Sequence, residues 1–110
     1  MLVKDFEKRI KLEIQKAVKD YGYTIDKIVL FGSRASESYK EWSDWDILVI
    51  IKENLAPIDK KKLWYRIFRS LHNTIPTASF DIILKTQKVY EREKEVVNTL
   101  SNEAEDGIIL

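Results

Sequence analysis

From Leu30 to Ile50 the chain reads LFGSRASESYKEWSDWDILVI: an apolar run, Gly32-Ser33, ten intervening residues, then Asp44-Trp45-Asp46 opening a second apolar run. Residues two apart on a strand point to one face, so Asp44 and Asp46 would sit together, their Cα atoms about 7 Å apart. Paired carboxylates repel unless something neutralises them. A divalent cation does so, and two cations about 3.5–4 Å apart suit in-line displacement at phosphorus. Asp81, between Phe80 and Ile82 in a later apolar run (FDIILK), supplies a third carboxylate. An ionised side chain in such a run is costly without a partner. If its strand lies beside the second, Asp81 reaches the same metals, and it could also take the proton of an attacking hydroxyl.

Gly32 follows Phe31 where the chain leaves its first apolar run. Lacking a Cβ, it permits positive φ and a close approach of ligand to backbone. Ser33 is a good helix N-cap, and a helix start with a hydroxyl cradles phosphate oxygens. Arg34 could add a charge to the same cradle. Taking each residue type at about one in twenty, Gly-Ser and Asp-x-Asp at one fixed spacing arise by chance in roughly one chain of this length in 1,600. Each element alone is weak; together they point to phosphate and metal chemistry.

The elements that must position these residues follow from periodicity. Val3, Phe6, Ile10, Ile14, Ala17, Val18 and Tyr21 recur at helical spacing, with Gly22 placed to cap that helix. Ile25–Phe31 and Asp44–Ile51 read as buried strands. Pro57 opens a second helix with apolar Leu63, Trp64, Ile67, Phe68 and Leu71, ending over Asn73 to Pro76. Phe80–Lys85 is a third strand, and Gln87 to about Ala104 reads as one charged helix carrying Val89, Val96, Val97 and Leu100. The order is α-β-β-α-β-α. It predicts an α+β (α/β sandwich) fold with a small mixed three-stranded sheet, in one domain over residues 1–110.

Composition narrows the chemistry further. There is no cysteine and one histidine, His72, so thiolate and imidazole metal sites are excluded. Carboxylate ligands alone imply a hard cation, Mg²⁺ or Mn²⁺. With 19 basic and 18 acidic residues the net charge is +1, which argues against a duplex-DNA binder. The charged start of the chain resembles no secretory signal, and the apolar run Ile47–Ile51 is too short to span a bilayer. A cytoplasmic location is the default expectation. High Lys and Glu without Cys weakly suggests a thermophilic source.

Gly32-Ser33, ten residues, then Asp44-Trp45-Asp46 resembles the signature of the DNA polymerase β-like nucleotidyltransferase superfamily, and most nearly its smallest branch, the minimal nucleotidyltransferases. The resemblance covers most of the chain: the leading helix, FGSRA, SDWDILV, the Asp81 strand and the tail NEAEDGIIL. It implies that Gly32 and Ser33 hold the triphosphate of ATP or another nucleoside triphosphate. Asp44 and Asp46 would bind two Mg²⁺ ions, Asp81 would complete the site, and an acceptor hydroxyl would attack the α-phosphate with release of pyrophosphate. Members of that branch are often paired with a small helical HEPN-domain toxin, whose tyrosine the nucleotidyltransferase adenylylates as antitoxin. Size agrees, because 110 residues leave no room for an acceptor-holding domain. Two other readings share the same site: an antitoxin that neutralises by contact alone, and a small-molecule or RNA transferase whose acceptor is held between subunits of a homo-oligomer.

The remaining residues read blandly. Lys62, Arg66 and Arg69 lie at helical spacing and suit a solvated basic face better than one that steers nucleotide. Lys85 shares the Asp81 side of its strand by parity, from which it could reach phosphate. Trp45 points away from the Asp face into the core, while Trp42 could border the base. His72 reads as structural or solvated, and Tyr39 and Tyr90 carry no assigned role.

Overall fold

The computed structural model describes residues 3–35, 44–97 and 99–110, apart from the side chains of Val3, Lys4 and Ser33. Trp42, Tyr39 and the Ser33 hydroxyl, named above, lie outside that description. In chain order the elements are α1 (Val3–Asp20), β1 (Ile25–Phe31), a 3₁₀ turn (Gly32–Ala35), β2 (Trp45–Ile51), α2 (Pro57–Thr74), β3 (Phe80–Thr86), α3 (Gln87–Glu93), α4 (Leu100–Ala104) and β4 (Ile108–Ile109). The sheet is mixed, in the order β3-β2-β1-β4. β1 runs antiparallel to β2 and β4, and β3 runs parallel to β2. The α+β class and mixed sheet expected from periodicity are present.

Alternation along the strands divides the core in two. Ile28 and Leu30 of β1, Ile47, Val49 and Ile51 of β2, and Ile82 and Leu84 of β3 face α1 and α2. They meet Ile10, Ile14, Ala17 and Val18 from α1 and Leu63, Ile67 and Leu71 from α2, all buried. At about 1.5–3 kcal/mol for each fully buried aliphatic side chain, this face dominates stability. The opposite face presents Val29, Phe31, Leu48 and Ile50 to Tyr90 of α3 and Ala104 of α4. The acidic residues share this second, thinner layer.

Local chemistry sets the element ends. Gly22 N donates to Lys19 O (2.9 Å) and Tyr23 N to Val18 O (3.1 Å), closing α1 as expected. Pro57 occupies the first turn of α2, where its missing donor costs nothing. The Trp64 indole donates to Ile82 O (2.7 Å), tying α2 to β3. Arg66, on the partly solvated face of α2, bridges to Asp20 of α1 (3.4 Å) and bonds Ser70. Arg69 lies over the Tyr65 ring at 5.8 Å, and Lys62 is exposed. His72 is exposed and stacks on Phe68.

Two expectations are corrected. The sheet has a fourth strand, because Ile108 and Ile109 pair with Leu30 and Val29, and Leu110 N donates to Ile28 O (2.9 Å). Gly107 makes this approach feasible: a Cβ there would stand 2.6 Å from Leu30 O. The single helix expected over Gln87 to Ala104 is two. Thr99 interrupts it, its hydroxyl donating to Val96 O (2.8 Å) and accepting from Asn102 N (3.0 Å), which caps α4. Among the described residues no helix is long and apolar enough to cross a membrane.

Candidate active site

The first apolar strand ends at Phe31, whose register partner on β2 is Asp46. The chain then turns sharply through Gly32 at φ +71°. A Cβ on Gly32 would collide with Asp46 Oδ2 and stand 3.0 Å from its Cγ. Glycine is therefore required twice, for a left-handed backbone and for room beside the carboxylate. The turn residues Gly32–Ala35, with Ser33 among them, pass directly over the start of β2.

Asp46 and Asp81 are register partners on the parallel pair β2 and β3. Neighbouring strands lie about 4.8 Å apart, so the two carboxyl groups leave one face side by side. Trp45 N donates to Ser79 O (2.9 Å), which locks the two strand starts together. Asp44 stands immediately before β2 and is exposed, as is Asp81; Asp46 is half-buried. The structure thus brings Asp46, Asp81 and Gly32 together at one end of the sheet.

Electrostatics records the crowding. The Asp46 carboxyl is held above its ordinary value of 3.8, first by burial and then by the charges of Asp81, Asp44 and Glu103. Burial and like charge both disfavour the ionised form. Glu103, on α4, is a fourth acid that the sequence pattern does not reveal; only the return of α4 over β1 brings it near. A cavity of about 320 Å³ opens here, with Gly32 and Ala35 on one side and Asn102, Glu103 and Asp106 on the other.

The donor set is all carboxylate and its charges repel, which fits a hard divalent cation in residue type. Among the described residues no group of three such side chains stands close enough to hold a metal ion. Arg34 places its guanidinium over the Trp45 ring, 4.6 Å from the centroid, beside the turn. Trp45 is buried and also packs on Phe6, on the side away from the aspartates. Lys85 does share the Asp81 face, but it is held by Glu93 (2.7 Å) and Ser101 (3.2 Å) rather than turned to the acids.

Residues 12–102 match the family model described as "Polymerase beta, Nucleotidyltransferase". The chain belongs to the polymerase β nucleotidyltransferase family. It is 36% identical over 62 residues to "Putative protein adenylyltransferase MJ0141" of Methanocaldococcus jannaschii, a match covering 56% of each chain. The chain thus spans little more than half the length of the curated relative it matches. The nucleotidyltransferase fold is shared with the crystal structure of a "putative nucleotidyltransferase" from Sulfolobus solfataricus, at TM-score 0.59 and 20% identity. That alignment covers 97% of this chain and 83% of the other. Fainter is the likeness to a toxin–antitoxin crystal structure with AMP-PNP, at TM-score 0.47 and 24% identity over 67% of this chain and 56% of that one.

Proposed function

We propose that this nucleotidyltransferase domain, residues 1–110, moves AMP from ATP to a hydroxyl of a second protein, a tyrosine of a HEPN-type toxin for which it serves as antitoxin in the cytoplasm. The observation that carries the reading is the registry of Asp46 with Asp81 beside the Gly32 turn. Family membership supports nucleotidyl transfer, and the adenylyltransferase relative supports AMP and a protein acceptor. The toxin partner rests on the resemblance of FGSRA, SDWDILV and the tail to the minimal branch.

In this reading Asp44, Asp46 and Asp81 would hold two Mg²⁺ ions, with Mn²⁺ as the alternative, and bound metal would neutralise the triphosphate and the charge developing at the α-phosphate. The Gly32–Ser33 turn offers backbone donors and the Ser33 hydroxyl to phosphate oxygens. Arg34, at the same turn, would add a positive charge to them on leaving the Trp45 ring. Asp81, exposed beside Asp46, accepts the proton of the acceptor hydroxyl as its oxygen bonds to the α-phosphorus. The bond from that phosphorus to the bridging oxygen breaks, and pyrophosphate leaves.

The test is labelling in host lysate with Mg²⁺ and ATP labelled at the α-phosphate, beside an Asp44→Asn/Asp46→Asn double variant. A protein band labelled only by the wild type supports the reading and gives the acceptor by its mass. A labelled RNA or small molecule would move the acceptor to another class. No label, with Mg²⁺-dependent ATP binding retained, would leave neutralisation by contact.

A further inference from the structure

At the other end of the sheet from the aspartates, a cavity of about 700 Å³ opens between the first turn of α2 and one side of α3. Among the described residues, Lys60, Lys85, Lys88 and Arg92 line it with a single carboxylate, Glu93, in a chain whose net charge is only +1. Lys85 already neutralises Glu93 at 2.7 Å. Lys60, Lys88 and Arg92 are exposed and have no ion-pair partner among the described residues. Lys88 and Arg92 stand four apart on α3, where like charges repel. The side chain of Ala56 gives the start of the 18-residue helix α2 no cap, and Pro57 of its first turn borders the cavity.

We propose that this cavity binds a small polyphosphate, inorganic pyrophosphate or the phosphate tail of a nucleotide, at a site separate from the aspartates. Asp81 and Lys85 are four residues apart on β3, about 13 Å, so one short phosphate chain does not reach both. Three unpaired cations match the charge of a diphosphate, and the cavity is of ligand size. Among the described residues, none that lines it is aromatic. It therefore offers charge to phosphates and no stacking platform to bases, which separates it from a single-stranded nucleic-acid groove. The site does not depend on the reaction proposed above.

The experiment is a titration of ¹⁵N-labelled protein with sodium pyrophosphate in EDTA, where the aspartate end has no cation with which to hold phosphate. Amide shifts should concentrate at residues 58–60 and 86–93. Lys88→Ala/Arg92→Ala should weaken binding at least tenfold, and Glu93→Gln should tighten it severalfold by removing the opposing charge and releasing Lys85. ATP that competes at the same amides identifies a nucleotide tail as the ligand; ATP that does not compete identifies inorganic pyrophosphate. Shifts confined to the Gly32 turn and Asp46, or equal affinity in the double variant, would overturn the proposal. So would a short RNA binding there more tightly than pyrophosphate at equal phosphate concentration.

Discussion

The Asp46 carboxylate lies against the Cα of Gly32, in the space that any other residue would fill with its Cβ. Strand β2 thus limits what can stand in the turn leaving β1, and the turn fixes where that carboxyl group can sit. The contact is a constraint on fold and site together.

Gly32→Ala tests it. An Ala at φ +71° is strained and its methyl meets the carboxylate, so the variant should lose about 1–3 kcal/mol in urea unfolding. Combining it with Asp46→Ala should cost less than the sum of the two single changes, because the collision is then gone. Strict additivity would mean that the two residues do not meet.

Asp46 should destabilise the metal-free fold as pH rises. Its carboxyl is raised in the folded state, chiefly by burial, so the folded chain binds that proton more tightly than the unfolded one. Its contribution is complete below the ordinary value of 3.8 and is lost as pH rises through the folded value. Asp46→Asn should therefore melt higher than wild type at pH 7 in EDTA and lose that part of the pH dependence. It should also gain less from added Mg²⁺. A lower melting temperature for the variant in EDTA would contradict the crowding of acids around Asp46.

Much of this arrangement is legible in the residues, and its gaps have physical causes. Apolar, β-branched runs place β1 and β2 almost to the residue, and strand parity turns Trp45 into the core. The parallel pairing that sets Asp81 beside Asp46 is conditional in sequence, since nothing local to FDIILK says which strand it joins. β4 is missed because two residues carry no period, and its pairing depends on close approach at Gly107. The α3–α4 break is missed because Val89, Val96, Val97 and Leu100 keep a helical rhythm across it, although Thr99 is a recognisable cap. Glu103 and the Lys85–Glu93 pair are tertiary facts with no local signature.

That pair yields a second pH dependence, of opposite sign. The Lys85 ammonium holds the Glu93 carboxyl below its ordinary value of 4.5, so its contribution is present above that value and lost as pH falls through the folded one. Lys85→Met should cost about 1–3 kcal/mol at pH 7, partly because Ser101, fully buried, loses a hydrogen-bond partner. The cost measured by urea unfolding should shrink below pH 4. A cost independent of pH would assign it to packing instead.

Tyr90 is fully buried and donates to Glu105 at 2.5 Å, with Lys27 over its ring at 4.6 Å. It joins α3, the segment after α4, and β1 above the acidic face. Tyr90→Phe keeps the ring, and exposed Glu105 can turn to water. The loss should be about 1.5 kcal/mol, at the low end for a bond to a charged group. Tyr90→Ala also removes the ring and should cost about 3–5 kcal/mol. Equal losses for the two variants would mean that the hydroxyl, not the ring, holds the layer.

Asp81 and Glu103 both repel the Asp46 charge, yet only Asp81 shares its strand register. Removing either charge should ease ionisation of Asp46. If electrostatics were their whole role, Asp81→Asn and Glu103→Gln would alter transfer alike. A residue that ligates metal or takes the hydroxyl proton has an effect that charge relief cannot replace. Asp81→Asn should therefore lower kcat on the order of 10²-fold or more with KM little changed, whereas Glu103→Gln should stay within about tenfold of wild type. Their pH profiles should separate as well, since charge relief shifts the acid limb of the rate curve without lowering its plateau. Matching plateaus for the two variants would remove Asp81 from the chemistry and leave Asp44 and Asp46 to carry it.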